Sequence, residues 1–128
     1  MRELMKVLLI DDDEDIRRLG QLSLEDIGQF ETTIAASARE GIELAVGSLP
    51  DVILLDVMMP GMDGFAALEE LRSRPELKDI PVIFLTASVR HDDVESFRRR
   101  GALGVIPKPF DPMTLPAQVR ELTGAVDQ

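Results

Sequence analysis

The sequence has no cysteine, and this absence excludes disulfide bonds, thiolate metal sites and a cysteine nucleophile. Long apolar runs are also missing: the run at residues 7–10 stops at Asp11, and it is far too short to cross a bilayer. Residues 1–6 do not contain the apolar core of a signal peptide. We therefore expect a cytoplasmic protein that does not span a membrane.

Positive charge is scarce as well. The chain has 14 Lys and Arg residues against 24 Asp and Glu residues, a net charge of −10. Nucleic acid and anionic membranes would repel such a surface, so we expect direct binding to neither. The remaining composition, 45% hydrophobic and 30% charged residues, is typical of a globular protein. A length of 128 residues fits one domain that spans residues 1–128.

The chain does contain a regular alternation of apolar runs and helical patterns. Continuous, β-branched runs predict strands at residues 6–10, 32–36, 52–55, 82–85 and 104–106, as expected for a parallel sheet buried on both faces. Helices are predicted at residues 15–27, 37–46, 65–72, 92–100 and 114–122. Ser37 and Glu40 have the spacing of a capping box at the start of the second helix. Five strands alternating with five helices predict an α/β fold with an open, doubly wound sheet.

Doubly wound sheets bind ligands beyond the carboxyl ends of their strands. The chemically useful residues at these ends are Asp11, Asp12, Asp56, Thr86 and Lys108. Three converging carboxylates repel one another, and a hard cation such as Mg²⁺ would neutralise them. A carboxylate nucleophile beside an ammonium group and a hydroxyl group could then accept a phosphoryl group. Asp56 is the best acceptor candidate because it follows the most apolar strand. Asp11 and Asp12 are adjacent, so we expect their side chains to diverge.

Each of these residues also has a simpler explanation when it is taken alone. An aspartate after a strand is common in turns, a threonine can cap a helix, and a lysine can be an ordinary surface residue. The functional interpretation therefore depends on the coincidence of all five residues at the strand ends.

At these positions the sequence resembles the receiver domain of two-component response regulators. The matching motifs are LLIDDD at residues 8–13, DVMMPGMDG at residues 56–64, FLTA at residues 84–87 and KPF at residues 108–110. Their order and spacing match over nearly the whole chain. The resemblance implies a flavodoxin-like fold, in which a five-stranded parallel sheet has the strand order 2-1-3-4-5. Strand five would lie at an edge, and Pro107 independently favours an edge because proline lacks a backbone donor.

The resemblance also implies a phosphorelay function. Asp56 would be the phosphoacceptor, and a phosphohistidine of a sensor histidine kinase or a histidine phosphotransfer protein would be the donor. Asp12 would bind Mg²⁺ directly and Asp11 would bind it mostly through water. Asp56 and the backbone carbonyl of Met58 would complete the protein ligands.

Further roles follow from the same resemblance. Thr86 would bind the phosphoryl group once it has formed, and Lys108 would pair with it across a loop that contains a cis Lys108-Pro109 peptide. A downstream protein would bind the face formed by helix four, strand five and helix five. The domain would be a phosphoacceptor that catalyses its own phosphorylation and slow dephosphorylation, and not an enzyme that turns over a separate substrate.

Two positions bear on how this chain would behave as a receiver. Receivers usually carry Phe or Tyr where this chain has Val105, so the family's aromatic switch is in doubt, and we expect Thr86 and the loop after it to carry the signal. The alternative is that Val105 is an ordinary packed strand residue and the switch is weak. Met58, which with Ser88 would lie over the phosphoryl group, cannot position an attacking water by hydrogen bonding. We therefore expect slow self-dephosphorylation.

Two rival functions would use some of the same residues. A phosphohydrolase of the haloacid dehalogenase type needs an acid two residues after its nucleophile, where this chain has Met58. A receiver-shaped binding module that does not accept phosphate is disfavoured by the intact set of five strand-end residues. The sequence leaves open the kinase, the target, the oligomeric state, and whether the chain acts alone or within a longer regulator.

Overall fold

Strands and helices alternate along the computed structural model, which describes residues 5–87 and 90–124. The strands are β1 (Lys6–Ile10), β2 (Glu31–Ala35), β3 (Val52–Asp56), β4 (Val82–Thr86) and β5 (Gly104–Pro107). The helices are α1 (Glu14–Leu22), α2 (Ala38–Ser48), α3 (Gly64–Ser73), α4 (His91–Arg99) and α5 (Leu115–Gly124). A π-helical turn, Ser23–Ile27, extends α1. No helix in these two ranges is long and apolar enough to cross a membrane.

The five strands form one parallel sheet in the order β2-β1-β3-β4-β5. Every residue of β3 and β4 is buried, which explains why these strands are continuously apolar up to their last residues. The predicted fold class and strand order are therefore confirmed. β5 lies at an edge, as Pro107 indicated, and Pro107 is its last residue.

Helices cover both faces of the sheet. Alternate strand side chains such as Leu8, Ile53 and Phe84 pack with α2, α3 and α4. Their neighbours in sequence, such as Leu9 and Leu54, pack with α1 and α5 on the opposite face. This two-sided burial holds the carboxyl ends of β1, β3 and β4 rigidly at one edge of the sheet.

Most predicted element bounds differ from the observed ones by one or two residues, and two of the differences have a clear structural cause. β2 begins and ends one residue earlier than predicted, because its register with β1 pairs Lys6 with Glu31 and Ile10 with Ala35. The predicted helix at residues 15–27 is not one continuous α-helix. The Gly28 N–H donates to the Ser23 carbonyl at 3.1 Å, five residues earlier, so the last turn is a π-helical turn that is wider than an α-helical one.

Candidate functional site

The backbones of four candidate residues are fixed at the carboxyl edge of the sheet, namely those of Asp11, Asp56, Thr86 and Lys108. The Asp11 N–H donates to the Ala35 carbonyl at 3.1 Å and continues the ladder between β1 and β2. Asp56 is the last residue of β3, and Thr86 is the last residue of β4. The Thr86 carbonyl accepts from the Lys108 N–H at 2.9 Å, which ties the segment after β5 to this edge.

Three carboxylates meet at this edge. Asp11, Asp12 and Asp56 each offer an oxygen, and these oxygens lie within 4.8 Å of one another. Asp11 is fully buried and Asp56 is only 3% exposed, whereas Asp12 faces solvent. The cluster could hold a metal ion, because three carboxylate oxygens at such spacing supply the hard ligands that divalent cations prefer.

Lys108 connects two of these carboxylates. Its Nζ lies 2.9 Å from Asp11 Oδ2 and 3.4 Å from Asp56 Oδ1. Burial alone would lower the pKa of Lys108, but the hydrogen bond and the charge of Asp11, together with Asp56, raise that pKa above its usual value. The side chain therefore stays an ammonium ion at neutral pH.

Asp56 has an unusual electrostatic environment. Burial, followed by the charge of Asp11, raises the pKa of Asp56 from 3.8 to about 6. Lys108 and the Met58 N–H, which donates to Asp56 Oδ1 at 3.2 Å, act in the opposite direction and do not fully compensate. Burial and a perturbed pKa beside a specific charge partner are typical of functional carboxylates.

Both carboxylate oxygens of Asp11 are already engaged within the protein. Oδ2 accepts from Lys108, and Oδ1 accepts from the Asp13 N–H at 2.9 Å. Asp13 itself is the N-cap of α1, and its Oδ1 accepts from the Asp15 N–H at 2.8 Å. The three consecutive acids therefore have different environments: one is buried and paired, one is open to solvent, and one caps a helix.

The loop between β3 and α3 passes close to Asp56. Gly64 opens α3, and a Cβ at this position would lie 2.7 Å from the Asp56 carbonyl oxygen, so only glycine permits this approach. Asp63 caps the helix by accepting from the Ala66 N–H at 2.9 Å. The glycine in the predicted motif is thus explained by backbone contact and not by phosphate binding.

Arg17 is a residue that sequence reasoning missed. Its Nη1 donates to the Asp11 carbonyl oxygen at 2.8 Å and supports the turn between β1 and α1. The sequence did contain an indication of this contact. A helix capped by Asp13 places residue 17 about one helical turn after the cap, within reach of the loop between β1 and α1.

The structure describes two of the three remaining features that the sequence singled out, Val105 and the Lys108-Pro109 peptide, but not Ser88. Val105 is half-buried, pairs with Phe84 in the sheet, and packs against the core on the side of α2, α3 and α4. The Lys108-Pro109 peptide is cis, as expected. The expectation for Ser88 concerns a residue outside those that the structure describes.

Comparisons with known proteins agree with this geometry. Residues 7–120 match the family described as the response regulator receiver domain. The response regulator Rre1 of Synechocystis is 38% identical over 122 residues, which are 95% of this chain and 53% of that protein. The chain thus spans about half the length of this relative. A 14.6 kDa protein of Leptolyngbya boryana is 39% identical over 111 residues, 87% of this chain and 84% of that protein.

A solved structure supports the same relationship. The chemotaxis response regulator CheY4 of Vibrio cholerae superposes with a TM-score of 0.86 at 33% sequence identity. The superposition covers 94% of this chain and 99% of the CheY4 chain. Sequence and structure comparisons therefore point to one family.

Proposed function

Because this chain belongs to the response regulator receiver domain family, we propose that it accepts a phosphoryl group on Asp56 in a reaction that requires Mg²⁺. The donor is a phosphohistidine of a sensor histidine kinase or of a histidine phosphotransfer protein. The observation that carries the proposal is a nearly buried carboxylate placed beside an ammonium group and two further carboxylates. These are the groups that phosphoryl transfer to a carboxylate requires.

The transfer forms one bond and breaks another. A carboxylate oxygen of Asp56 bonds to phosphorus while the bond between phosphorus and the donor imidazole nitrogen breaks, and the electron pair of that bond stays on nitrogen. Lys108, already 3.4 Å from Asp56 Oδ1, pairs with a phosphoryl oxygen. The Thr86 hydroxyl donates to another phosphoryl oxygen. The backbones of both residues lie at strand ends, which keeps their side chains within reach of the phosphoryl group.

The donor set fits Mg²⁺, which prefers carboxylate oxygens, backbone carbonyls and water. Asp11 would act mostly through water, because both of its oxygens already accept hydrogen bonds within the protein. Asp12, Asp56 and the backbone carbonyl of Met58 would bind the cation directly. When bound, the cation neutralises the charge of the carboxylates and of the phosphoryl oxygens.

The signal then passes to a partner protein. Thr86 and the backbone after β4 carry the change, because Val105 has no aromatic ring to reorient. The partner binds the face of α4, β5 and α5. A net charge of −10 disfavours direct contact with nucleic acid or an anionic membrane, and we place this receiver domain, residues 1–128, in the cytoplasm.

Intact mass after incubation with acetyl phosphate tests the proposal. We expect the chain to gain one phosphoryl group in the presence of Mg²⁺ and none with a metal chelator. The Asp56→Asn variant should gain none under either condition, because it lacks the nucleophilic carboxylate. Asp26→Asn, a substitution at an exposed site on the π-helical turn, is the matched control and should gain the group as the unsubstituted chain does.

Failure of the unsubstituted chain to gain mass with any divalent metal would contradict the proposal. The protein would then be a receiver-shaped binding module. A mass gain that persists in Asp56→Asn would place the acceptor at another residue.

The phosphorylated chain should lose its phosphoryl group slowly, over minutes or longer. The thioether of Met58 does not orient an attacking water, and Met58 has the most exposed large apolar side chain among those that the structure describes. Removing acetyl phosphate and then following the intact mass over time measures the loss. A lifetime of seconds would show that another group positions the water.

A further inference from the structure

Met58 places an accessible thioether beside the proposed phosphoacceptor. Met58 is 78% exposed, whereas its neighbours Val57 and Met59 are 4% and 8% exposed and pack in the core. Its backbone N–H lies against the carboxylate, with the nitrogen 3.2 Å from Asp56 Oδ1. A side chain that starts here and points away from the core stands at the mouth of the site.

An exposed thioether is chemically reactive towards peroxides. With hydrogen peroxide, the sulfur lone pair attacks one oxygen, and a sulfur–oxygen bond forms as the oxygen–oxygen bond breaks. The departing hydroxide takes the proton from the sulfur-bound oxygen and leaves as water. The product, methionine sulfoxide, is polar, whereas the thioether is apolar. Accessibility directs this reaction to Met58 and protects Met59, which is buried.

The sulfoxide oxygen has the reach of a glutamine side chain. In methionine sulfoxide the path from Cβ runs through Cγ and Sδ to oxygen, and in glutamine it runs through Cγ and Cδ to Oε1. The two oxygens therefore stand the same number of bonds from the backbone. Oxidation therefore adds a hydrogen-bond acceptor to an exposed side chain whose own backbone N–H contacts Asp56, on the side from which water reaches an acyl phosphate.

We propose that Met58 is a redox modification site, and that its oxidation by a peroxide shortens the lifetime of the phosphoryl group on Asp56. This inference rests on the proposed phosphoacceptor function. An acceptor that orients the attacking water contributes a hydrogen bond in the transition state, and one such bond accelerates loss about tenfold. Peroxide would thereby turn a slowly decaying signal into a short one.

The test compares phosphoryl lifetimes before and after oxidation. The chain is treated with hydrogen peroxide, the peroxide is removed, and peptide mass mapping establishes oxidation at Met58. The protein is then phosphorylated with acetyl phosphate and Mg²⁺, and the intact mass is followed after removal of acetyl phosphate. Loss should be about tenfold faster in the oxidised chain, and methionine sulfoxide reductases should restore the slow rate.

Three variants locate the effect. Met58→Leu cannot be oxidised at this position, so its phosphoryl lifetime should be the same with and without peroxide treatment. Met58→Gln should lose the group faster than the unsubstituted chain without any peroxide. Met113→Leu removes a second accessible thioether, 70% exposed, in the segment before α5, and should retain the full response.

Several results would overturn the inference. One is an unchanged lifetime in protein whose Met58 is shown to be oxidised, and another is a peroxide response that persists in Met58→Leu. A Met58 that stays reduced while Met113 is oxidised would also exclude it. Absence of any phosphoryl gain before treatment is a separate result: it refutes the proposed function, and the inference with it.

Discussion

In metal-free buffer at pH 8, we expect the Asp56→Asn variant to be more stable than the unsubstituted chain by about 3 kcal/mol. Burial and the charge of Asp11 raise the pKa of Asp56 from 3.8 to about 6, so the ionised carboxylate destabilises the folded state. The asparagine amide is neutral and keeps an oxygen that can accept from the Met58 N–H. Urea denaturation in the presence of a metal chelator measures the difference in the free energy of unfolding.

The pH dependence of this difference has a definite sign. The folded chain binds the Asp56 proton more tightly than the unfolded chain, so the contribution of Asp56 to the unfolding free energy falls as the pH rises from 3.8 to about 6. The advantage of Asp56→Asn is therefore complete above this window and disappears below it. Saturating Mg²⁺ should narrow the advantage, because the cation binds the folded unsubstituted chain.

A matched substitution separates the effect of this site from that of net charge. Asp26→Asn removes one negative charge from an exposed position and should change the unfolding free energy by no more than about 0.5 kcal/mol at any pH. If Asp56→Asn shows no advantage at pH 8, then Lys108 compensates the buried charge fully, and the raised pKa of Asp56 is wrong.

The clustering of the candidate residues could be predicted from the sequence because it depends on topology. Parallel strands end at one edge, so residues that follow separate apolar runs must come together there. Asp11, Asp56 and Thr86 are far apart in the chain, but each stands at the carboxyl end of an apolar run, and these ends predict one common edge. An error of one residue in a strand boundary, as in β2, does not change this prediction.

The electrostatic details could not be predicted in the same way. Lys108 bridges the carboxylates of Asp11 and Asp56, although Asp11 is 97 positions away in the sequence. Sequence spacing does not indicate which carboxylate oxygen the lysine binds. Asp11 and Asp12 are adjacent residues of the same type, so the sequence does not show that Asp11 is buried and Asp12 is exposed. The π-helical turn at Ser23–Ile27 has no sequence signature, because its apolar residues suit an α-helix equally well.

Replacing Lys108 by methionine should have the opposite effect to Asp56→Asn. In metal-free buffer at pH 8, Lys108→Met should lower the free energy of unfolding by about 3 kcal/mol, because it leaves the fully buried Asp11 and its neighbour Asp56 without their counterion. The pKa of Lys108 is raised, so its stabilising contribution is fully present at this pH and is lost only when the pH rises beyond that pKa.

The double variant tests whether the loss arises from this charge cluster. Adding Asp56→Asn to Lys108→Met should recover part of the lost stability, because one of the two unpaired carboxylates is then neutral. Lys78→Met, which removes an exposed ion pair with Asp79, is the control and should lower the unfolding free energy by less than about 1 kcal/mol. If Lys108→Met is no more damaging than this control, then Lys108 does not hold the two carboxylates together, and its role in the proposed phosphoryl site would rest on proximity alone.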